Sequence, residues 1–275
     1  MIKPFPLITA HTGCMGTPDN TLLSIETGLN LGVDIIEEDI RITSDGVLVL
    51  SHDDNVHLAD GTECWISQMN YAELSKLDIK AHNGAPGETI RILSLESVLP
   101  ILQACGKIMN LDLKSDACIE PISNWIEKNR LLEQVILSGC ETERAKIVQH
   151  VNPRIRKLLN VDPALFLTKN YEEAAKICCE DAKSTACFGI NLNYRVVQAE
   201  LLHITASNNL DVCIWTVNEE AQMKHFIEMG VRSITSRNAA ALLKLKQELM
   251  RQNGADDQLV IPRGRYGKVT DAEQA

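Results

Sequence analysis

Glu37, Asp39 and His52 fall within sixteen residues of one another, on two extended runs joined by a tight turn. The runs are residues 33–42 and 47–53, with Thr43-Ser44-Asp45-Gly46 between them. A two-residue hairpin closed by Thr43 and Gly46 pairs residues whose numbers sum to about 89, which sets Glu37 opposite His52. Asp39 then shares their face two residues along. Two carboxylates beside a histidine at a strand end have the composition of a metal site with an acid/base group attached. Acidic side chains at strand ends are more commonly just solvated. The assignment therefore depends on what other segments bring to the same place.

Short β-rich runs alternate with amphipathic stretches along the chain. The expected strands are residues 6–11, 33–39, 107–113, 134–138, 155–161, 187–192, 211–217 and 232–236, read from apolar, β-branched runs bounded by turn formers. A helical pattern follows each: 20–31, 95–104, 117–129, 141–150, 171–180, 196–208, 219–229 and 238–250. Ser94 before Leu95 and Asn218 before Glu219-Glu220 are helix start signals, and Gly230 is a stop signal. Eight βα units in about 250 residues describe a (β/α)8 TIM barrel of the α/β class. No G-x-G-x-x-G follows the first strand, which argues against a dinucleotide fold.

The link between residues 39 and 52 is too short for a parallel crossover. Residues 40–51 therefore read as an excursion beyond the mouth of strand two that returns His52 to it. Residues 54–92, rich in turn formers and carrying Trp65, read as an insertion at the catalytic face that shapes access. The expected organisation is one barrel domain over 1–250 and a polar tail over 251–275.

Composition narrows the function. The chain has 275 residues, 45% of them apolar, which suffices for one large core. Its net charge of −10 and lack of basic patches argue against a nucleic-acid partner. A small anionic substrate held through a metal remains compatible. Nine cysteines at irregular spacings form no zinc pattern and read as reduced core residues of a cytoplasmic protein. No apolar run is long enough for a membrane anchor, and association into a homo-oligomer stays open.

Barrel chemistry sits at the carboxyl ends of the strands. Strand one ends in His11, strand two in Glu37 and Asp39, and the hairpin returns His52. Strand three presents Asn110, Asp112 and Lys114 on one face, and strand seven ends in Trp215. Alone, His11 reads as a hydrogen-bonded structural residue, Lys114 as a surface residue or a partner of Asp112, and Trp215 equally as core or as a wall of the substrate site. Together, Glu37, Asp39 and Asp112 form an all-oxygen donor set suited to Mg²⁺ or Ca²⁺. Lys114 would place a point charge on a phosphate oxygen, and His11 and His52 would divide the proton transfers. Asp53 and Asp54 read as caps of the following turn. His57, His82, His150, His203 and His225 carry no assigned role.

The motifs resemble those of the glycerophosphodiester phosphodiesterase family of phospholipase-C-like barrels. The family's His-Arg-Gly and Pro-Glu-Asn-Thr correspond to His11-Thr12-Gly13 and Pro18-Asp19-Asn20-Thr21. Its Glu-x-Asp, Thr-x-Asp-Gly and His-Asp correspond to Glu37-Glu38-Asp39, Thr43-Ser44-Asp45-Gly46 and His52-Asp53. Asp112-Leu113-Lys114 resembles its strand-three Glu-x-Lys, and residues 93–99, 212–218 and 230–231 resemble later elements. The resemblance spans about 6–240. It implies metal-dependent hydrolysis of a glycerophosphodiester to glycerol 3-phosphate and an alcohol. His11 and His52 would be the acid/base pair, Glu37, Asp39 and Asp112 the ligands, and a substrate hydroxyl an internal nucleophile. The chain departs at Thr12, where the family has a phosphate-binding arginine; a neutral hydrogen bond there would be weaker by about 1–3 kcal/mol. Arg41 is a candidate replacement. The departure leaves two alternatives: a barrel that binds a phosphoryl ligand with little or no hydrolysis, or a related phosphodiesterase or lyase acting on another substrate.

Overall fold

The computed structural model describes residues 4–252. Eight parallel strands form the barrel: β1 (Leu7–Ala10), β2 (Ile35–Ile42), β3 (Ile108–Leu113), β4 (Val135–Cys140), β5 (Lys157–Asn160), β6 (Gly189–Asn193), β7 (Asp211–Trp215) and β8 (Ser233–Ser236). Each pairs with the next, and β1 pairs with both β2 and β8, which closes the ring. The architecture is the expected (β/α)8 TIM barrel. Strands covered by helices outside and by side chains inside read as apolar runs, as Ile-Ile in β2 and Val-Ile-Leu in β4 do. Ile136, Leu158 and Cys213 cluster together, packed against Ile108 and Phe188. The larger apolar cluster joins helix residues such as Ile25, Val98, Ile126, Leu201 and Leu242 to strand residues such as Ile36, Leu111 and Ile190.

Helix boundaries follow local chemistry. The Thr21, Ser94 and Asn170 side chains accept hydrogen bonds from the first-turn amides of Ser24, Ser97 and Glu172. Gly230 ends the helix Glu220–Met229 as expected. Asn218 does not cap that helix: Glu219 holds the N-cap position, while Asn218 Oδ1 accepts the Arg237 amide at 2.9 Å. The last helix, Ala239–Gln252, runs two residues past its expected end. The rest of the expected tail lies outside the described residues.

The hairpin after β2 exists, but its register differs from the expected one. Ile40 pairs with Leu50 and Ile42 with Leu48, so facing numbers sum to 90. The turn holds three residues, Ser44, Asp45 and Gly46: the Thr43 amide donates to the Val47 carbonyl, and Gly46 takes φ +83°. A left-handed glycine at that position closes a three-residue loop. Asp39 consequently meets Ser51, whose amide donates to the Asp39 carbonyl at 3.1 Å. His52 lies beyond the paired segment Leu48–Leu50, and Glu37 is not its cross-strand partner.

The insertion has a small core of its own, formed by Val56, Ile66, Leu74, Ile79 and Ile92 with Val49 of the hairpin. Two short antiparallel pairs, Asn55–His57 with Glu63–Trp65 and Ile79–Lys80 with Thr89–Ile90, frame it. Asp54 does not cap the turn directly after it as expected: it accepts from the amide and hydroxyl of Ser67, thirteen residues on, in the short turn Ile66–Gln68.

Candidate active site

The carboxyl ends of the strands open into a cavity of about 350 Å³. It is bordered by His11, Glu37, Asp39, His52, Asp112, Lys114 and Trp215. Seven of the eight residues singled out in the sequence thus surround one space. Thr12 does not border it.

The parallel register places the carboxylates together. β2 pairs with β3 so that Asp39 faces Asp112 and Glu37 faces Asn110. One carboxylate oxygen each from Glu37, Asp39 and Asp112 lies within 4.8 Å of the other two. A cation keeping each oxygen at about 2.1–2.5 Å can hold two of them up to about 5 Å apart, so the spacing fits one hard divalent ion. Asp112 Oδ1 is buried with no hydrogen-bond partner, as an oxygen awaiting such an ion would be. Lys114 Nζ lies 2.9 Å from Asp39 Oδ1 and 2.7 Å from Asp112 Oδ2. Burial disfavours the Lys114 ammonium, but Asp112 and Asp39 outweigh it and push its pKa up. Burial, then Asp39, Asp112 and Glu38, push Glu37 well above the ordinary carboxylate range. One ammonium therefore leaves the three carboxylates short of positive charge, a deficit that a divalent cation would fill.

His11 Nδ1 lies 2.8 Å from the Thr12 carbonyl, which can only accept, so Nδ1 carries the proton. Nε2 then bears the lone pair of the neutral ring. Burial lowers the His11 pKa, and the Thr12 carbonyl opposes that in part. His52 Nδ1 lies 2.8 Å from Asp53 Oδ1. The hydrogen bond from His52 holds Asp53 below its ordinary pKa, so an ionised carboxylate backs this ring. Asp53 is thus a histidine partner rather than the expected turn cap.

Thr12 is turned away from the cavity. Its hydroxyl donates to Glu38 Oε2 at 2.7 Å and accepts the Asn20 amide at 2.6 Å, and the residue is 1% exposed. Its amide donates to Glu37 Oε2 at 3.2 Å, so it supports a candidate ligand from behind. Arg41 does not replace the missing arginine: its Nε donates to the His52 carbonyl at 2.8 Å.

The sequence reading missed the ends of β4, β5 and β6, which bring Ser138, Gly139, Asn160 and Asn191 to the cavity. The period-two rule that selected Asp112 applies equally to those strands. Glu141, directly after β4, and Arg144, in the following helix Thr142–Val151, also border the space. His82, to which the sequence pattern gives no role, lies with Nδ1 2.7 Å from Asp19 Oδ2, and Arg237 grips both Asp19 oxygens. No periodic pattern marks that contact, which joins segments 63 and 218 residues apart.

A closed barrel whose strand ends collect three carboxylates, two histidines and a lysine has the layout of a phosphoric diester hydrolase. Residues 11–239 match the model of the glycerophosphoryl diester phosphodiesterase family, and the chain belongs to that family. It is 25% identical over 245 residues to a glycerophosphodiester phosphodiesterase of Caldanaerobacter subterraneus, covering 87% of this chain and 97% of the relative. It is 25% identical over 266 residues to another from Bacillus subtilis, covering 90% and 89%. Among solved structures, an Oleispira antarctica phosphodiesterase in complex with the product sn-glycerol-3-phosphate superposes with a TM-score of 0.72. The match has 21% identity and covers 88% of this chain and 97% of that one. No helix among the described residues is long and apolar enough to cross a membrane.

Proposed function

We propose that this enzyme hydrolyses glycerophosphodiesters to glycerol 3-phosphate and an alcohol with the help of one divalent cation, Mg²⁺ or Ca²⁺. The convergence of Glu37, Asp39 and Asp112 within 4.8 Å, in a cavity shared with His11, His52 and Lys114, carries the reading. Glu37, Asp39 and Asp112 would hold the cation, which when bound supplies positive charge to the phosphoryl oxygens.

The chain's own groups account for the rest. His11, neutral with its lone pair on Nε2, takes the proton of the attacking hydroxyl, in the first instance the substrate hydroxyl next to the phosphate. His52, backed by Asp53, delivers a proton to the departing alcohol oxygen, which leaves a cyclic phosphodiester. Water then opens the ring to glycerol 3-phosphate, with His52 taking the water's proton and His11 returning its own to the released hydroxyl. Lys114 offers a second positive charge at the edge of the carboxylate cluster. Trp215 borders the cavity and offers its ring as a wall against the substrate. Nine free cysteines, most of them buried, support a reducing cytoplasmic setting.

The deciding experiment offers glycerophosphocholine and glycerophosphoethanolamine with Mg²⁺ or Ca²⁺. Release of glycerol 3-phosphate that stops on chelation and returns with added metal is expected. No turnover on a broad phosphodiester panel with any divalent metal would sink the proposal.

A further inference from the structure

β4 leaves its regular ladder where it passes Asp112. β5 pairs Lys157 with Leu137 and Leu159 with Cys140, so β4 uses three steps where β5 uses two. The extra residue makes a β-bulge at Ser138-Gly139. Gly139 adopts φ +68°, and a Cβ there would lie 2.1 Å from Asp112 Oδ1 and 2.4 Å from the Leu113 carbonyl oxygen. The Asp112 carboxylate therefore rests directly against the bulge, and only glycine leaves room for it.

Two side chains hold the bulge in place. The Gly139 amide donates to Asn160 Oδ1 at 2.9 Å. Arg144 Nη1 donates to the Gly139 carbonyl at 2.6 Å and to the Leu113 carbonyl at 2.8 Å. The last register pair of β3 and β4 is Asp112 with Ser138, so this guanidinium bridges the two strands just beyond their ladder. Asp116 in turn engages Arg144 Nε.

We propose that Arg144 and Asn160 are positioning residues for the divalent cation, acting through the Gly139 bulge on Asp112. The inference rests on the metal reading above. Without Arg144, the Leu113 and Gly139 carbonyls lose their shared donor and turn toward water. The bulge relaxes, and Asp112 Oδ1 gains room to leave the position it needs as a ligand. Groups that orient metal ligands typically change metal affinity by about 10–100-fold when removed. Arg144 Nε and Nη1 are already engaged by the protein, so the effect falls on the cation before it falls on substrate binding.

The test is calorimetric titration of Mg²⁺ and of Ca²⁺ into the metal-stripped chain and into Arg144→Gln, Arg144→Lys, Asn160→Ala and Gly139→Ala. Circular dichroism and thermal melts check that each variant is folded. Arg144→Gln and Asn160→Ala are expected to bind the cation about 10–100-fold more weakly, with Arg144→Lys in between because its ammonium can still reach one carbonyl. Gly139→Ala is expected to lose most binding; if it does not fold, the Arg144 and Asn160 variants decide. A folded Arg144→Gln with the parent's affinity would overturn the proposal. So would a raised KM at unchanged cation affinity, which would mark Arg144 as a substrate contact. A parent chain that binds neither cation overturns the metal reading itself, a result distinct from either of these.

Discussion

The Thr12 hydroxyl donates to the Glu38 carboxylate at 2.7 Å, and this contact points the residue after His11 out of the cavity. Glu38 is 0% exposed and has its pKa pushed well up by burial, so the pair belongs to the packed layer behind β2. Thr12→Val removes the donor to Glu38 and the acceptor for the Asn20 amide. Two buried polar groups left unpaired should cost about 2–4 kcal/mol, read as a lowered melting temperature. Thr12→Arg should cost more and should not raise turnover, because the position has no room for a guanidinium and does not face the substrate. A gain of activity in Thr12→Arg would show that this side chain can reach the cavity.

The two histidines should behave alike in activity and differently in their surroundings. His11→Ala and His52→Ala should each reduce turnover by about 10²–10⁴-fold. The His52 side chain is 64% exposed, so its removal should leave the melt almost unchanged. Asp53→Asn should give a smaller loss than His52→Ala, since the ring survives and only its ionised partner is gone. Steady-state kinetics on glycerophosphocholine separates these cases. Near-normal activity in either alanine variant would refute its acid/base role.

Asp19 ties three segments together: Arg237 after β8, His82 at the tip of the insertion, and its own loop after β1. Its side chain is 7% exposed and faces Arg237 in a two-pronged contact. Asp19→Ala should cost about 3 kcal/mol, because the partner charge is left part-buried and unpaired. The insertion tip should also come loose, since the His82 contact goes with it. Trypsin cleavage after the exposed Lys80 should then speed up. Unchanged cleavage would mean that the tip is held by its backbone bond to Asp19 and by Asn83 alone.

The barrel was legible because eight apolar runs and eight amphipathic runs alternate, and each keeps its own period. The charged residues that meet at the carboxylate cluster were legible for a related reason: they sit at strand ends, where a period of two places them, whereas Ser138, Gly139, Asn160 and Asn191 sit at strand ends with no charge to single them out. Two kinds of feature were hidden. The hairpin register turned on whether Gly46 closes a two- or a three-residue loop, and Thr43-Ser44-Asp45-Gly46 is compatible with both until the backbone is seen. A slip of one moved His52 off its expected partner, although the hairpin still returns it to the cavity. Thr12 shows the other limit. A motif position names a residue, but the direction of its side chain depends on Glu38, which lies one layer out and carries no motif signal of its own.

Lys157 presents a separate prediction on the outer side of β5. It is 0% exposed, and its Nζ donates to Gln149 Oε1 at 2.6 Å. The nearby Cys140 and Cys187 offer no anion, since burial pushes both thiols up, Cys140 to about 12. Burial lowers the Lys157 pKa from its ordinary 10.5. Between that lowered value and 10.5 the unfolded chain binds more protons than the folded one, so stability rises with pH across that window. Below the window the folded state carries the full cost of burying the amine. Lys157→Met keeps an unbranched side chain out to the ε position and removes the titrating group, while Gln149 is part-exposed. At pH 7 the variant should be more stable by about 1 kcal/mol, a melting temperature about 2–4 °C higher. Its stability should also change less between pH 7 and pH 10 than the parent's. Melts across that range decide the matter: a variant that is less stable at pH 7, with the parent's pH dependence intact, would show that the Gln149 contact outweighs the burial of the amine.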